Sequence, residues 1–198
     1  MRFGINWDYR CPFARNMHEH LVTALQDGAG YEVEFIPFSL SQVHVEEGEP
    51  AVWADPTRHH ELLAVMAGVV TRKLFPDRFY PTHLSLFSAR HDQALDISDR
   101  ETVAGVLDAN GVPSSKVFAE IKSGWPLATF QEAHTRSVEE FHAFGVPTFF
   151  IGEQAAFVRV MTRPKGDAAA ARRTIDRILE TLTAYPELNE IKQTRIPR

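Results

Sequence analysis

The chain has 198 residues, of which 44% are hydrophobic and 24% are charged, and its formal net charge is -5. This balance is typical of a globular protein and excludes a largely disordered one. The negative charge gives no electrostatic reason to bind nucleic acid or an anionic membrane, and no apolar run is long enough to cross a bilayer. We therefore expect that the protein binds neither nucleic acid nor a membrane and that it is cytoplasmic. We also expect one domain that carries an insertion.

The first pattern along the chain is an alternating strand followed directly by an amphipathic helix. Apolar residues alternate at Phe3, Ile5 and Trp7 and then recur every four residues from position 13 to position 25. Cys11-Pro12 lies at the junction, and proline suits the first helical position because its missing N–H would have no partner there. The pattern therefore predicts that Cys11 begins a helix.

The single cysteine at this position is the strongest candidate for chemistry. Free N–H groups and the helix dipole stabilise a thiolate, so we expect a solvent-reachable nucleophile with a pKa below the ordinary cysteine value. Arg10 and Arg15 are close in sequence and would help, whereas Asp8 would oppose them. The alternative is that Cys11 is an inert, buried, small apolar residue. One cysteine also excludes an internal disulfide, which agrees with a reducing compartment.

A second alternating run over 31–37 completes a β-α-β unit, and a helical block over 55–144 follows it. We expect helices in this block to begin at Asp55-Pro56, at Tyr80-Pro81, at a capping box formed by Ser98 and Glu101, and after Pro126. A hairpin that turns at Gly152-Glu153 and a helix over 168–182 complete the chain. Strand propensity predicts that four phenylalanines are mainly in the core: Phe144, Phe149, Phe150 and Phe157.

The chain has nine histidines, which raises the question of a metal site. Neither of two close pairs, His18 with His20 and His59 with His60, has the spacing of paired ligands on one helix face. We therefore expect these histidines at the surface or at helix ends, and no metal. His134 and His142 could approach Cys11 in space, where an imidazolium would stabilise the thiolate.

Two motifs flank the helical block, Asp8 with Cys11-Pro12 and Gly145-Val146-Pro147-Thr148, and together they resemble those of the DsbA type of thioredoxin fold. The resemblance implies an α/β protein: a thioredoxin fold with an inserted all-helical subdomain. It implies a thioredoxin-like domain over 1–50 and 145–185, a helical insertion over 51–144 and a C-terminal tail over 186–198. In this family the proline of the second motif is cis and packs against the cysteine.

The resemblance also implies the site. Cys11 is the implied catalytic nucleophile, and six residues form the implied thiol-binding or substrate-binding surface: Pro12, Phe13, Ala14, Val146, Pro147 and Thr148. The family's second cysteine would stand where this chain has Ala14, so a mixed disulfide on Cys11 needs an external thiol to resolve it. Glutathione or mycothiol is the expected co-substrate, with no tightly bound cofactor. The tail from Ala184 to Arg195 is similar to that of DsbA-like proteins that work with mycothiol.

The leading hypothesis is a DsbA-like thiol-disulfide oxidoreductase whose single cysteine acts on a small-molecule or protein disulfide. Kappa-class glutathione transferases and hydroxychromene carboxylate isomerases resemble the same fold with its insertion. In those enzymes a thiol cofactor does the chemistry, and serine usually stands where this chain has Cys11. The third hypothesis is a non-catalytic binding protein in which Cys11 is inert.

Overall fold

A four-stranded mixed sheet organises residues 1–195, the part of the chain that the computed structural model describes. Its strands are β1 (Arg2–Trp7), β2 (Glu32–Pro37), β3 (Thr148–Ile151) and β4 (Gln154–Phe157), in the spatial order β2-β1-β3-β4. β1 is parallel to β2, and β3 is antiparallel to both β1 and β4. The predicted parallel pair and the predicted hairpin are both confirmed.

Most of the helices lie between β2 and β3 in the chain. The helices are α1 (Pro12–Gln26), α2 (Leu40–Val43), α3 (Leu63–Leu74), α4 (Pro76–His91), α5 (Arg100–Ala109), α6 (Ser114–Lys122), α7 (Trp125–Glu139) and α8 (Ala168–Ala184), with a 3-10 segment at Pro56–Leu62. The architecture is a thioredoxin fold with a helical insertion, as the sequence predicts. Of the predicted tail over 186–198, residues 196–198 lie outside the described part.

The sheet positions α1 by close packing around β1. Five of the six β1 residues are buried, and α1 packs against both α8 and α4. Gly4 shows how close the packing is, because a Cβ there would lie 2.8 Å from Ile36 Cδ1 and 3.3 Å from Phe150 Cβ. Since β1 ends at Trp7, the helix that follows begins at the carboxyl edge of the central strand.

Two predicted helix starts in the insertion are wrong. α4 begins at Pro76, not at Tyr80-Pro81, and Pro81 lies inside the helix, where a proline removes one backbone hydrogen bond and its ring crowds the carbonyl four residues before it. α5 is capped by Asp99, whose carboxylate accepts a hydrogen bond from the Thr102 N–H at 2.8 Å. The predicted cap, Ser98, instead donates its hydroxyl to Asp96.

The expectation that four phenylalanines are core residues holds for Phe149 and Phe150, which are buried in β3. Phe144, however, is 67% exposed, so its prediction as core is wrong. It precedes the loop that leads into β3 and contacts only the edge of the core, with its ring 5.1 Å from that of Phe157. The surface next to the second motif therefore carries a large exposed aromatic ring, that of Phe144.

Candidate functional site

Cys11 is the N-cap of α1, as the sequence predicts. Its Sγ accepts a hydrogen bond from the Ala14 N–H at 3.4 Å, and the thiol donates to the Val146 carbonyl at 3.3 Å. Pro12 occupies the first turn and is exposed, whereas Ala14 is fully buried. Cys11 itself is only 7% exposed and counts among the buried residues.

The loop before β3 lies directly against this cysteine. The Val146-Pro147 peptide bond is cis, and Thr148 begins β3. Asn6 of β1 holds the loop from both sides: its side-chain amide donates to the Gly145 carbonyl at 3.0 Å, and its Oδ1 accepts from the Thr148 N–H at 2.6 Å. The fold thus brings together the two motifs that are 135 positions apart in the chain.

The electrostatics of Cys11 differ from the expectation. Burial raises the pKa of the Cys11 thiol, and the nearby Asp8 carboxylate acts in the same direction. The Ala14 and Phe13 N–H groups and the Arg159 guanidinium lower this pKa, but burial has the larger effect. The predicted low pKa of Cys11 is therefore wrong for this structure, because desolvation disfavours the charged form more than the helix terminus favours it.

The two arginines close to Cys11 in sequence form ion pairs with other carboxylates. The Arg10 guanidinium contacts Ser41 Oγ and lies 3.4 Å from Glu61, and Arg15 pairs with Asp92 at 2.6 Å. The cation near the sulfur is Arg159, which sequence reasoning missed. The register of the hairpin is the signal that could have identified it. Thr148 pairs with Phe157 in antiparallel strands, so the residues after Phe157 lie opposite those before Thr148, near Pro147.

Asp8 fixes the turn that carries Cys11. Its carboxylate is buried and accepts hydrogen bonds from the N–H groups of Arg10 at 2.9 Å and Leu40 at 2.8 Å. Burial raises the pKa of this carboxyl, while the two N–H donors lower it. Asp8 therefore ties the Cys11 turn to the first residue of α2.

A buried chain of polar groups runs beneath the site. The Tyr9 hydroxyl lies 2.8 Å from His83 Nδ1, His83 Nε2 lies 3.0 Å from His18 Nδ1, and His18 Nε2 lies 3.0 Å from the Asn6 carbonyl. A carbonyl only accepts, so His18 must donate from Nε2, which makes His83 the donor to His18 and Tyr9 the donor to His83. Burial lowers the pKa of His18 to about 4 and that of His83 well below its usual range, so both rings are neutral.

Several histidine predictions are therefore corrected. His18 and His20 are buried, not at the surface, because their ring nitrogens satisfy backbone carbonyls of Asn6 and Thr162. His134 accepts a hydrogen bond from the Ser39 N–H at 3.2 Å and packs on Phe38, with ring centroids 4.3 Å apart. It thus supports the connection between β2 and α2. Within residues 1–195, no group of three or more His, Cys, Asp or Glu side chains is arranged to hold a metal ion.

Among solved structures, the chain is similar to 2-hydroxychromene-2-carboxylate isomerase at 15% identity and a TM-score of 0.63, covering 93% of this chain and 98% of that one. The cytosolic disulfide reductase DsbM from Pseudomonas aeruginosa, solved with GSH, is 14% identical with a TM-score of 0.61, over 91% of this chain and all of that one (100%). A probable DsbA oxidoreductase from Streptomyces coelicolor is 14% identical with a TM-score of 0.60, over 98% and 93%.

At these identities the likeness establishes the shared fold. No protein-family profile matches the chain, and no curated protein matches it by sequence. Among the helices of the described residues, none combines the length and the apolar character that crossing a membrane requires.

Proposed function

We propose that the protein is a DsbA-like thiol-disulfide oxidoreductase in which Cys11 acts with an external low-molecular-weight thiol, glutathione or mycothiol. The observation that carries the proposal is the position of Cys11 Sγ, at the N-cap of α1 and 3.3 Å from the Val146 carbonyl of the cis-proline loop. The similar solved structures include a disulfide reductase and a probable DsbA oxidoreductase, which supports this choice.

The reaction balances with one protein cysteine. The Cys11 thiol gives its proton to solvent, and the thiolate attacks one sulfur of a disulfide, so that a bond to Cys11 forms and the substrate S–S bond breaks. The leaving thiolate takes up a proton. An external thiolate then attacks the substrate sulfur of the mixed disulfide, which breaks the bond to Cys11, restores the Cys11 thiol and leaves a disulfide between the external thiol and the substrate half. A second external thiolate attacks that disulfide, releases the remaining substrate thiol, and forms the disulfide of the external thiol. A reducing compartment such as the cytoplasm supplies such thiols, and we propose that the protein works there.

Intact mass measurement tests the proposal. Wild-type protein is incubated with oxidised glutathione or mycothiol disulfide at pH 7 and at pH 9. We expect one covalent adduct per chain, formed faster at pH 9 because burial raises the pKa of Cys11, and removed by the reduced thiol. Cys11→Ser should form none. Wild-type protein that forms no adduct with either disulfide at either pH contradicts the proposal.

The second candidate is an isomerase or transferase that uses a thiol cofactor, and one observation favours it. Because burial raises the pKa of Cys11, a protonated thiol faces the loop, where it donates to the Val146 carbonyl. A hydroxyl can make the same donation and could equally hydrogen-bond the thiolate of a bound cofactor. Thiol-dependent isomerisation of a 2-hydroxychromene-2-carboxylate that survives Cys11→Ser would support this function, whereas its absence in wild-type protein would contradict it.

A further inference from the structure

An arginine and three aromatic rings pack together next to the cis-proline loop and the first turn of α1, and we call this group the aromatic rim: Phe13, Phe144, Phe157 and Arg159. The Arg159 guanidinium lies over the Phe13 ring at 5.2 Å and over the Phe157 ring at 5.7 Å, measured to the ring centroids. Phe144 packs on Phe157 with ring centroids 5.1 Å apart and is 67% exposed. The cation and the three rings thus form one cluster, which includes Phe13 two positions after Cys11.

The backbone on both sides of Arg159 is fixed. The Val158 N–H donates to the Pro147 carbonyl at 3.1 Å, and the Asn16 side-chain amide donates to the Val160 carbonyl at 3.0 Å. The segment is thereby tied to the cis-proline loop on one side and to α1 on the other. Arg159 is exposed, so its side chain projects from an anchored position into solvent at the rim.

No carboxylate among the described residues pairs with the charge of Arg159. Within residues 1–195 its guanidinium makes no ion pair and no hydrogen bond, whereas Arg10 and Arg15, the two arginines close to Cys11 in sequence, are paired with carboxylates. Stacking on aromatic rings holds a guanidinium without using its N–H donors, and those donors match a carboxylate in a two-pronged geometry. The aromatic rings beside it suit an apolar group.

Resting on the proposed function, we propose that Arg159 is a specificity-determining residue that binds a carboxylate of the small thiol or disulfide reacting at Cys11. Of the two thiols proposed above, the preferred partner is therefore glutathione, which carries carboxylates, and not mycothiol, which carries none. The covalent step is the one given above: the partner's disulfide loses one thiol, and its other half is joined to Cys11.

Two aromatic disulfides of opposite character test the proposal. 5,5′-Dithiobis(2-nitrobenzoate) carries carboxylates, and 2,2′-dithiodipyridine is neutral; each releases a coloured thiol when it modifies Cys11. The measured quantity is the rate constant for 5,5′-dithiobis(2-nitrobenzoate) divided by that for 2,2′-dithiodipyridine. The thiolate fraction cancels in this ratio, so a change in the Cys11 pKa alone does not alter it. We expect Arg159→Gln to lower this ratio about three- to ten-fold, and Arg159→Lys to lower it less, since lysine keeps the charge but not the planar fork.

Arg177→Gln is the matched control, because Arg177 is an exposed arginine on α8 and its loss changes the net charge equally. We expect it to leave the ratio unchanged. Raising the salt concentration should lower the wild-type ratio and not that of Arg159→Gln. Wild-type protein that reacts with both disulfides, with equal ratios in wild type and Arg159→Gln, overturns the role of Arg159 and leaves the proposed function standing. Wild-type protein that reacts with neither disulfide contradicts both.

Discussion

Replacing Tyr9 by phenylalanine tests the direction of the buried polar chain. The hydrogen-bond argument makes the Tyr9 hydroxyl the only donor to His83 Nδ1, at 2.8 Å. Both residues are 0% exposed, so water cannot take the place of the lost donor. An unsatisfied buried acceptor costs about 1–3 kcal/mol, and we expect Tyr9→Phe to lower the free energy of unfolding by that amount.

A second substitution sharpens the test. A Cβ on Gly68 of α3 would lie 2.5 Å from the Tyr9 hydroxyl oxygen but 3.3 Å from the ring carbons. Gly68→Ala should therefore destabilise the wild type strongly and the Tyr9→Phe protein much less. The two changes should fail to add by about 1 kcal/mol or more, because they remove and create contacts at the same atom.

Urea unfolding at pH 7, followed by circular dichroism, measures these differences. Tyr31→Phe is the control, since the Tyr31 hydroxyl donates to Asp176 at the surface, where water can replace it. We expect this control to cost less than about 1 kcal/mol. The reasoning is refuted if Tyr9→Phe and Tyr31→Phe cost the same, or if Gly68→Ala has the same effect in both backgrounds.

Two further predictions follow from the site and its surroundings. Burial lowers the pKa of His18 and of His134 to about 4, so below about pH 6.5 the unfolded chain binds protons that the native state does not. The free energy of unfolding should rise with pH over this interval, by about 2 kcal/mol for each histidine between pH 5 and pH 7, and urea unfolding of His134→Gln should show a smaller rise. Ala14→Cys should form a disulfide with Cys11, because the Ala14 N–H already contacts Sγ at 3.4 Å; intact mass should fall by two hydrogens after mild oxidation. Arg15→Cys, whose side chain would point toward Asp92, should keep two alkylatable thiols, and the same result for Ala14→Cys would contradict the geometry of the first turn.

Local rules in the sequence were sufficient for the frame of the site. Pro12 after Cys11 predicts a helix start because proline lacks an N–H and has a fixed φ, and neither property depends on the rest of the chain. Alternating apolar residues predict β1, because successive side chains of a pleated strand point to opposite faces. The turn at Gly152 predicts the hairpin, and Gly152 has a positive φ of +60°. These features predicted the β-α-β unit, the hairpin and the helix start at the cysteine, while the thioredoxin fold was implied by the resemblance of the two motifs to the DsbA type.

The chemical state of that cysteine was decided only by the tertiary structure. A pKa depends on how much water the fold removes and on which charges it brings close, and at Cys11 the Val146 carbonyl comes from a loop 135 positions away. For the same reason Arg159, distant in sequence, became the nearby cation, while Arg10 and Arg15 turned toward other carboxylates. Sequence periodicity specifies which face of an element is apolar, but the partners of a buried polar group are specified by packing between elements, as in the contact of His83 in α4 with His18 in α1.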